Sequence, residues 1–335
     1  MFKIKIEPSG HSFEASAEET VLAAALKHGV NLPYSCRGGA CGSCKSKITS
    51  GEVHYEFMPD GISSREKQAG FALLCQAMAS SDLVIESREI EKNMDIEIKN
   101  YPCRVEQRTQ LNHDVLLIKL KLPGNERMQF LAGQYIDFIL KDGRHRSFSI
   151  ANAPHDDEFI ELHIRHIPGG EFTTEAFDNM QAKDMFRVEG PKGQFYLRED
   201  SDRPIIFMAG GTGFAPIKGI IEHALEIGLT RPMHMYVGVR ALEDLYMKDM
   251  AEAWAAKYDF IHFIPVLSDP KPSDNWTGRT GLVNQTIVED FADLSGFELY
   301  GSGPPKMVYA GRDIFPEKGL DLDHYFSDAF EFQKD

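Results

Sequence analysis

The chain has 335 residues, enough for two or three domains, and its hydrophobic fraction of 42% and charged fraction of 26% exclude a disordered or collagen-like protein. The net charge of −15 argues against a nucleic-acid partner. No apolar run is long enough to span a membrane and the first residues lack a signal-peptide pattern, so we expect a cytoplasmic protein with no membrane partner.

The first predicted elements form a small mixed domain. Residues 2–7 and 11–16 alternate polar and apolar side chains like two strands, with a turn between them. Residues 20–28 have a helical pattern, and Gly29 ends it. Residues 82–88 are typical of a closing strand.

Four of the five cysteines follow the spacing C-x4-C-x2-C with a distant fourth, which is the plant-type [2Fe–2S] pattern. Two irons need four thiolates in one small volume, and glycines in the loop let backbone N–H groups turn toward the cluster. A zinc site is the alternative, but zinc ligands usually occur as two close pairs. We expect Cys103 to pack as a small apolar residue. The predicted ligands are Cys36, Cys41, Cys44 and Cys75.

The middle of the chain is rich in short strands. A polar, charged linker is predicted at residues 91–100. Many short strands at this spacing favour a small antiparallel barrel. The predicted strands are 103–110, 115–122, 135–140, 146–151 and 159–165.

One of these strands carries the residues Arg146, Ser147, Phe148 and Ser149. They resemble the R-x-Y/F-S motif of the ferredoxin–NADP reductase superfamily. The resemblance implies that Arg146 neutralises the flavin pyrophosphate and that Phe148 lies along the flavin. It also implies that Ser149 offers a hydroxyl near the flavin N5. An ordinary strand with an exposed arginine is the alternative.

A glycine turn after the last barrel strand opens a predicted helix at 173–180. Such a helix start presents unpaired N–H groups and the positive end of the helix dipole, both of which suit a phosphate. The superfamily uses a G-x-x-S/T step here for the same pyrophosphate. The residues assigned to it are Gly170, Phe172 and Thr173.

The last third begins with a continuous apolar run at 204–209, typical of a buried parallel strand. A glycine turn and a helix at 217–227 follow, which is the context that dinucleotide phosphate binding requires. The stretch GGTGFAP departs from the Rossmann pattern at the third glycine but is similar to the pyridine-nucleotide loop of ferredoxin reductases. Its candidate ligands are Gly211, Thr212, Gly213 and Pro216.

Further strands are predicted at 234–239, 262–267 and 298–300, with a helix at 249–257. The last strand leads into a segment that resembles the superfamily's C-G-P-x-x-M, in which the cysteine sits by the nicotinamide C4. Ser302 takes that place here, followed by Gly303 and Pro304. A serine donates a hydrogen bond but lacks the polarizable sulfur.

The predicted nucleotide is NADH rather than NADPH. After the second strand of this region, Glu243 and Asp244 would accept hydrogen bonds from a ribose 2′-hydroxyl and repel a 2′-phosphate. Arg240 would attract a 2′-phosphate instead. The flavin is expected to be FAD, because the flavin motifs resemble those of FAD-type members. Tyr325, Phe326 and Phe330 are candidates for covering the isoalloxazine, with core packing expected for at least two of them.

Together the segments resemble the oxygenase-reductase branch of this superfamily. Within it, four stretches are similar to the CDP-6-deoxy-Δ3,4-glucoseen reductase-like proteins: residues 32–45, 130–135, 210–218 and 325–330. The implied fold is a β-grasp ferredoxin domain, an antiparallel β-barrel flavin domain and a parallel-sheet α/β nucleotide-binding domain. The predicted boundaries are 1–92, 97–200 and 201–335.

The modules imply a direction for the electrons. A pyridine nucleotide delivers two electrons together, a [2Fe–2S] cluster carries one, and a flavin can do both. We therefore expect NADH to reduce FAD, FAD to reduce the cluster, and the cluster to reduce a protein acceptor, either a dehydrase or an oxygenase component. A flavin-binding redox sensor without turnover is a third interpretation, which three intact cofactor motifs disfavour.

Overall fold

The computed structural model describes residues 1–30, 32–34, 37–39, 42, 44–87, 96–124 and 126–330, so the predicted ligands Cys36 and Cys41 lie outside it. The chain divides into two compact units, Met1–Asp95 and Ile96–Asp335. The predicted boundaries at 92 and 97 lie on either side of this division, and the one at 200 falls inside the second unit. No helix among the described residues is long and apolar enough to cross a membrane.

The first unit is a mixed sheet with a short helix in its core. The strands are β1 Phe2–Glu7, β2 Ser12–Ala15, β3 Lys45–Ser50, β4 Val53–His54, β5 Phe71–Leu73, β6 Met78–Ala79 and β7 Leu83–Glu86, and the helices are α1 Val21–Lys27 and α2 Ser64–Gln68. The main sheet has the order β2-β1-β7-β3-β5, with β1 and β7 parallel. Thr20 caps α1 by accepting a hydrogen bond from the Ala23 N–H at 3.2 Å. This arrangement agrees with the predicted β-grasp topology.

The second unit begins with an antiparallel sheet of the order β11-β10-β13-β8-β9-β12. A bridge between Ile150 and Leu162 joins its two edges, so the sheet curls into a barrel. Cys103 is buried in the barrel core, as its sequence context predicts. The elements are β8 Lys99–Gln110, β9 Val115–Lys121, β10 Tyr135–Ile139, β11 His145–Ser149, β12 Ile160–Arg165, β13 Met185–Lys192 and α3 Glu171–Asp178.

Two details of the barrel differ from the sequence-based expectation. Strand β8 begins at Lys99, so the predicted linker at 91–100 is too long at its C-terminal end. Strand β13 was not predicted. Its charged residues and its Gly-Pro-Lys end interrupt the alternation of polar and apolar residues that indicates a strand. It nevertheless lies in the middle of the sheet, between β10 and β8.

The rest of the second unit is a parallel sheet of the order β17-β16-β15-β14-β18-β19, with helices between its strands. Its strand β14 is buried at every position, which explains its continuous apolar sequence. The strands are β14 Ile205–Gly210, β15 Met233–Val239, β16 Ile261–Leu267, β17 Arg279–Thr280, β18 Glu298–Gly303 and β19 Tyr325–Ala329. The helices are α4 Phe214–Glu226, α5 Lys248–Lys257, α6 Val283–Asp290 and α7 Pro305–Ile314.

Two histidines stack across neighbouring strands of this sheet. His234 on β15 is in register with His262 on β16, and their ring centroids lie 4.8 Å apart. Burial lowers the pKa of His234, and the neighbouring His262 lowers it further. The fold therefore holds His234 as a neutral imidazole.

This pair predicts a loss of stability in mild acid. The unfolded chain takes up a proton at His234 near pH 6.5, whereas the folded chain resists protonation until a lower pH, so folding stability falls as the pH drops through about 6.5. We expect the melting temperature of the wild type to fall more between pH 7.5 and pH 5.5 than that of a His234→Gln variant, measured by circular dichroism. Equal falls in the two proteins would contradict the assignment.

Candidate functional site

Two of the predicted cluster ligands are brought together at one end of the first unit's sheet. Strand β3 starts directly after Cys44, and β5 ends two residues before Cys75. The pairing of Lys45 with Leu73 places both cysteines beside this pair, and the Leu74 N–H donates to the Cys44 carbonyl at 3.1 Å. Both cysteines are buried. The sheet register therefore makes neighbours of two residues that are far apart in sequence.

Residues 37–39 of the glycine-rich segment contact the residue that follows Cys75. The Gln76 side chain donates to the Arg37 carbonyl at 2.7 Å. Gly39 has φ +80°, and a Cβ there would lie 2.6 Å from Gln76 Cγ. The loop thus requires glycine at this position both for its backbone conformation and for its close contact. The buried thiols of Cys44 and Cys75, with these contacts beside them, fit the ligand set of a [2Fe–2S] cluster.

The predicted flavin motif lies on β11, the first strand in the order of the barrel sheet. Arg146 is half-buried, and its guanidinium donates to the His145 carbonyl at 3.0 Å. Phe148 is half-buried and packs on Phe172, the second residue of α3, with ring centroids 5.4 Å apart. This contact joins β11 to the glycine turn and helix that the sequence assigns to the same pyrophosphate.

Other residues predicted to bind the flavin have local partners. Ser147 alternates with Arg146 and Phe148 along the strand, and its hydroxyl donates to Asp137 at 2.5 Å. The Thr173 hydroxyl accepts from the Ile167 N–H at 3.1 Å and lies 3.3 Å from the Gly170 carbonyl. These two hydroxyls therefore shape the barrel face and the turn.

Three polar side chains converge where the barrel meets the parallel sheet. The Ser149 hydroxyl donates to an Asp328 carboxylate oxygen at 2.9 Å, and both residues are buried. Asp328 lies on β19 in register with Ser302 on β18. Ser149, Ser302 and Asp328 thus come from three strands: Asp328 is hydrogen-bonded to Ser149 and neighbours Ser302 in the sheet register.

Ser302 sits against the glycine turn. A Cβ on Gly213 would lie 2.0 Å from the Ser302 carbonyl oxygen, so only glycine allows the turn between β14 and α4 to approach this strand. Ser302 is fully buried, and its hydroxyl has no hydrogen-bond partner among the residues that the structure describes. An unsatisfied buried hydroxyl at the end of a parallel sheet fits a site for a polar ligand group.

The C-terminal aromatic residues have different surroundings. Phe326 packs on Tyr300 with ring centroids 4.8 Å apart, and the Tyr325 hydroxyl donates to the Val308 carbonyl at 2.7 Å. Both thus belong to the packing of the parallel sheet. Phe330 is half-buried directly after β19, and its N–H donates to the Gly303 carbonyl at 2.9 Å, which places it beside the Ser302 segment.

The two acids expected to select the nucleotide lie beside a cavity of about 520 Å³ between the barrel and the parallel sheet. Asp244 accepts from the Ala241 N–H at 2.9 Å, which fixes its turn, and lies 3.4 Å from His113. Glu243 pairs with Lys271 at 2.6 Å. Arg240 is exposed, 3.9 Å from Asp269. The cavity wall therefore carries acidic and basic side chains together.

Arg165, which the sequence interpretation did not assign, reaches this site from the end of β12. Its Nε donates to Asp114 at 2.6 Å. Its Nη1 lies so close to Gly211 that a Cβ there would be 3.1 Å away. Among the described residues, neither Nη group makes a hydrogen bond. A guanidinium anchored through Nε and unpaired at Nη suits a phosphate beside the glycine turn.

Replacing Arg165 with methionine is expected to raise KM for NADH about tenfold or more, because a hydrogen bond to a charged group contributes about 1.5–3 kcal/mol. The flavin content should stay unchanged. The matched control is Arg104→Met, since Arg104 is exposed on β8 and pairs with Glu106. Steady-state kinetics measure KM for NADH in both variants. An unchanged KM in Arg165→Met would show that Arg165 does not bind the nucleotide.

Asp328 is the other residue that the sequence interpretation missed. Its strand, β19, was predicted only through its aromatic residues. A single acid between Ser327 and Ala329, inside an otherwise buried strand, was the available signal. Buried carboxylates require partners, so this one pointed to a polar site.

Comparisons with known proteins agree with this architecture. Residues 4–80 match the 2Fe-2S iron-sulfur cluster binding domain. Residues 102–196 match the oxidoreductase FAD-binding domain, and residues 207–313 match the oxidoreductase NAD-binding domain. These matches confirm the predicted fold class.

Similar proteins match over nearly the whole chain. The CDP-6-deoxy-L-threo-D-glycero-4-hexulose-3-dehydrase reductase of Yersinia pestis is 39% identical over 98% of both chains. The terephthalate 1,2-dioxygenase reductase component 1 of Comamonas is 33% identical over 98% of this chain and 97% of its own. Among solved structures, the Amycolatopsis cytochrome P450 reductase GcoB has 32% identity and a TM-score of 0.78, covering 98% of this chain and 99% of its own.

Proposed function

This chain belongs to the family of iron–sulfur flavoprotein reductases that join a 2Fe-2S domain to FAD-binding and NAD-binding domains, and we propose that it carries electrons from NADH through FAD and a [2Fe–2S] cluster to a protein acceptor. It is an oxidoreductase.

The observation that carries the proposal is the convergence of Ser149, Ser302 and Asp328 at the junction of the barrel and the parallel sheet. A hydride donor and its acceptor must meet face to face, and this junction is where the flavin motif and the glycine turn approach each other. A protein that only bound a flavin would not need the Ser302 segment or the turn at Gly213.

Each residue at the junction has a task in this proposal. The Ser302 hydroxyl donates to a polar group of the nicotinamide and orients its ring. Ser149 and Asp328 form a hydrogen-bonded dyad in which the serine proton lies between the hydroxyl and carboxylate oxygens, and this dyad would face the bound flavin. Bound FAD supplies the conversion from two-electron to one-electron transfer. Arg165 and the turn at Gly213 hold the nucleotide phosphates.

The cluster site requires four thiolates. Cys44 and Cys75 supply two of them from neighbouring positions in the first unit. We propose Cys36 and Cys41, which lie outside the described residues, as the other two, since they belong to the same C-x4-C-x2-C run as Cys44.

The proposed acceptor is a dehydrase that acts on a nucleotide-linked deoxysugar. Support comes from the Yersinia dehydrase reductase, which is the more similar of the two relatives at 39% identity against 33%. An oxygenase component is the second candidate, supported by the structural likeness to the Amycolatopsis cytochrome P450 reductase. NADH-driven turnover with each purified acceptor distinguishes them, because only the true partner supports turnover at low concentration.

The electron path is tested by anaerobic addition of NADH. We expect the flavin absorbance to bleach first and the reduced cluster to appear afterwards. The reduced cluster is detected by its electron paramagnetic resonance signal. A cluster reduced in a flavin-free protein at the same rate would rule out this order. A protein in which NADH bleaches neither group would rule out the function.

NADH is expected to be preferred over NADPH by at least ~10-fold in kcat/KM, because Glu243 and Asp244 would repel a 2′-phosphate. Asp244→Asn should narrow this ratio, since the amide oxygen still accepts from Ala241 N–H but carries no charge. Lys271→Met, which frees the Glu243 carboxylate, should widen it. Equal kcat/KM values for the two nucleotides in the wild type would contradict this preference.

A further inference from the structure

Strand β12 carries a row of ionisable side chains toward the nucleotide-binding half of the second unit. Glu161, His163 and Arg165 alternate along the strand, so they share one face, while the residues between them face the barrel core. Glu161 and His163 are 6% and 4% exposed. Buried polar groups on a barrel strand cost free energy unless they are hydrogen-bonded, so their partners are informative.

The partners form one continuous chain of hydrogen bonds. Lys218 Nζ lies 3.2 Å from Glu161 Oε1 and 2.9 Å from Glu222. His163 Nε2 lies 3.2 Å from the same Glu161 oxygen. His163 Nδ1 lies 3.1 Å from the Tyr246 hydroxyl, which completes the chain.

The charges in this hydrogen-bond network are fixed by its surroundings. Burial lowers the pKa of His163, so its ring is neutral at pH 7. Burial alone would raise the pKa of Glu161, but the His163 hydrogen bond and the Lys218 cation outweigh it and hold that pKa at about 2. The network is thus a buried carboxylate–ammonium pair with a neutral imidazole attached.

The ends of the network lie beside the parts that bind the two reactants. Lys218 is on α4, shortly after the glycine turn, and it donates to the Ala151 carbonyl at 3.2 Å. Ala151 is two residues after Ser149. Tyr246 directly follows the turn that carries Asp244. One network therefore joins the flavin motif, the glycine turn and the nucleotide-selecting turn.

We propose that Glu161, His163 and Lys218 are positioning residues, whose hydrogen bonds hold the glycine turn at the distance from the flavin face of the barrel that hydride transfer needs. The inference rests on the proposed function, because it concerns the rate of that transfer. It goes further because it makes the rate of hydride transfer depend on residues that contact neither the nicotinamide nor the flavin.

Energetics favour a positioning role over a purely stabilising one. A buried ion pair gives about the same stability as apolar residues of similar volume, because desolvation offsets the attraction. Its geometry is specific, however, since each partner must meet several hydrogen bonds at once. Hydride transfer responds strongly to such geometry, and a displacement of about 1 Å costs up to ~100-fold in rate.

The experiment uses the full chain with its flavin and cluster and follows flavin reduction by NADH in a stopped-flow instrument. Lys218→Met is expected to lower the limiting rate by about 10- to 100-fold and to remove the long-wavelength charge-transfer absorbance between nicotinamide and flavin. The Kd for NADH should change less than about threefold, because the nucleotide contacts remain. Lys119→Met is the matched control: Lys119 lies 3.6 Å from Glu161 but belongs to the barrel strand β9.

A second variant separates positioning from stability. Lys218→Met leaves Glu161 without its main cation and destabilises the fold, whereas Glu161→Gln combined with Lys218→Met removes both charges of this buried pair. We expect the double variant to regain thermal stability while its limiting rate stays low. If Lys218→Met does not retain flavin, the double variant alone decides.

The inference would be overturned by a wild-type rate in Lys218→Met, or by a double variant that regains both stability and rate. A rate loss of the same size in Lys119→Met would overturn it as well. These outcomes are distinct from a failure of the proposed function, in which NADH would not reduce the flavin of the wild-type protein at all.

Discussion

Cys75→Ser in the full chain is expected to abolish the visible absorbance and the iron content of the [2Fe–2S] cluster while leaving the flavin in place. Cys75 is the proposed ligand that comes from a distant part of the sequence, and β3–β5 pairing places it beside Cys44. A serine hydroxyl is far less acidic than a thiol and does not replace a thiolate at iron. NADH-dependent reduction of cytochrome c should be lost with the cluster.

The matched control is Cys103→Ser, because Cys103 is also buried but lies in the barrel core of the second unit. Burial raises the pKa of the Cys103 thiol to about 12, so it stays protonated and is a poor metal ligand. This variant should lose some thermal stability and keep its cluster. Retention of iron in Cys75→Ser together with loss of iron in Cys103→Ser would reverse the assignment of ligands.

Local signals predicted the parts of this molecule that depend on short stretches of sequence. The spacing of Cys36, Cys41 and Cys44 lies within one short stretch of sequence, and the glycine turn at 211–213 lies between a strand and a helix that are adjacent in sequence. Each of these motifs carries its own backbone requirements, such as the positive φ of Gly39. For this reason the sequence alone predicts the order of the three cofactor-binding segments.

Residues whose role depends on pairing between distant strands were not predictable in the same way. Asp328 accepts a hydrogen bond from Ser149, which lies 179 positions earlier, and the sequence around either residue does not indicate its partner. Arg165 approaches Gly211 only because the barrel packs on the parallel sheet. Strand β13 was missed for a related reason: its place in the middle of the sheet comes from its neighbours rather than from its own pattern.

The flavin motif shows a finer limit of sequence reasoning. The continuous motif assigns Arg146, Ser147 and Phe148 together, but successive residues of a strand face opposite sides. The hydroxyl of Ser147 bonds to Asp137, which also pairs with the buried Lys192 at 2.6 Å. Its assignment as a flavin ligand stays a prediction, and Ser147→Ala tests it through flavin content.

Removal of residues 1–95 is expected to preserve NADH-dependent ferricyanide reduction and to abolish reduction of cytochrome c or of the native acceptor. The two units have separate apolar cores: the first is built from residues between Ile4 and Ile85, and those of the second begin at Tyr101. The division at Asp95 precedes β8, so the cut removes no described strand of the barrel. Ferricyanide is small enough to take electrons from a flavin directly, whereas a protein acceptor depends on the cluster.

The matched variant for this truncation is Ser302→Ala in the full chain, which should show the opposite profile. It removes the buried hydroxyl that has no partner among the described residues, so flavin reduction by NADH should slow by about 5- to 10-fold, the effect of one lost hydrogen bond. The cluster spectrum should not change, because Ser302 belongs to the parallel sheet. Since both proteins keep their flavin, its content verifies their folding. If the truncated protein reduced its native acceptor at the full rate, electrons would leave through the flavin, and the proposed order of carriers would be wrong.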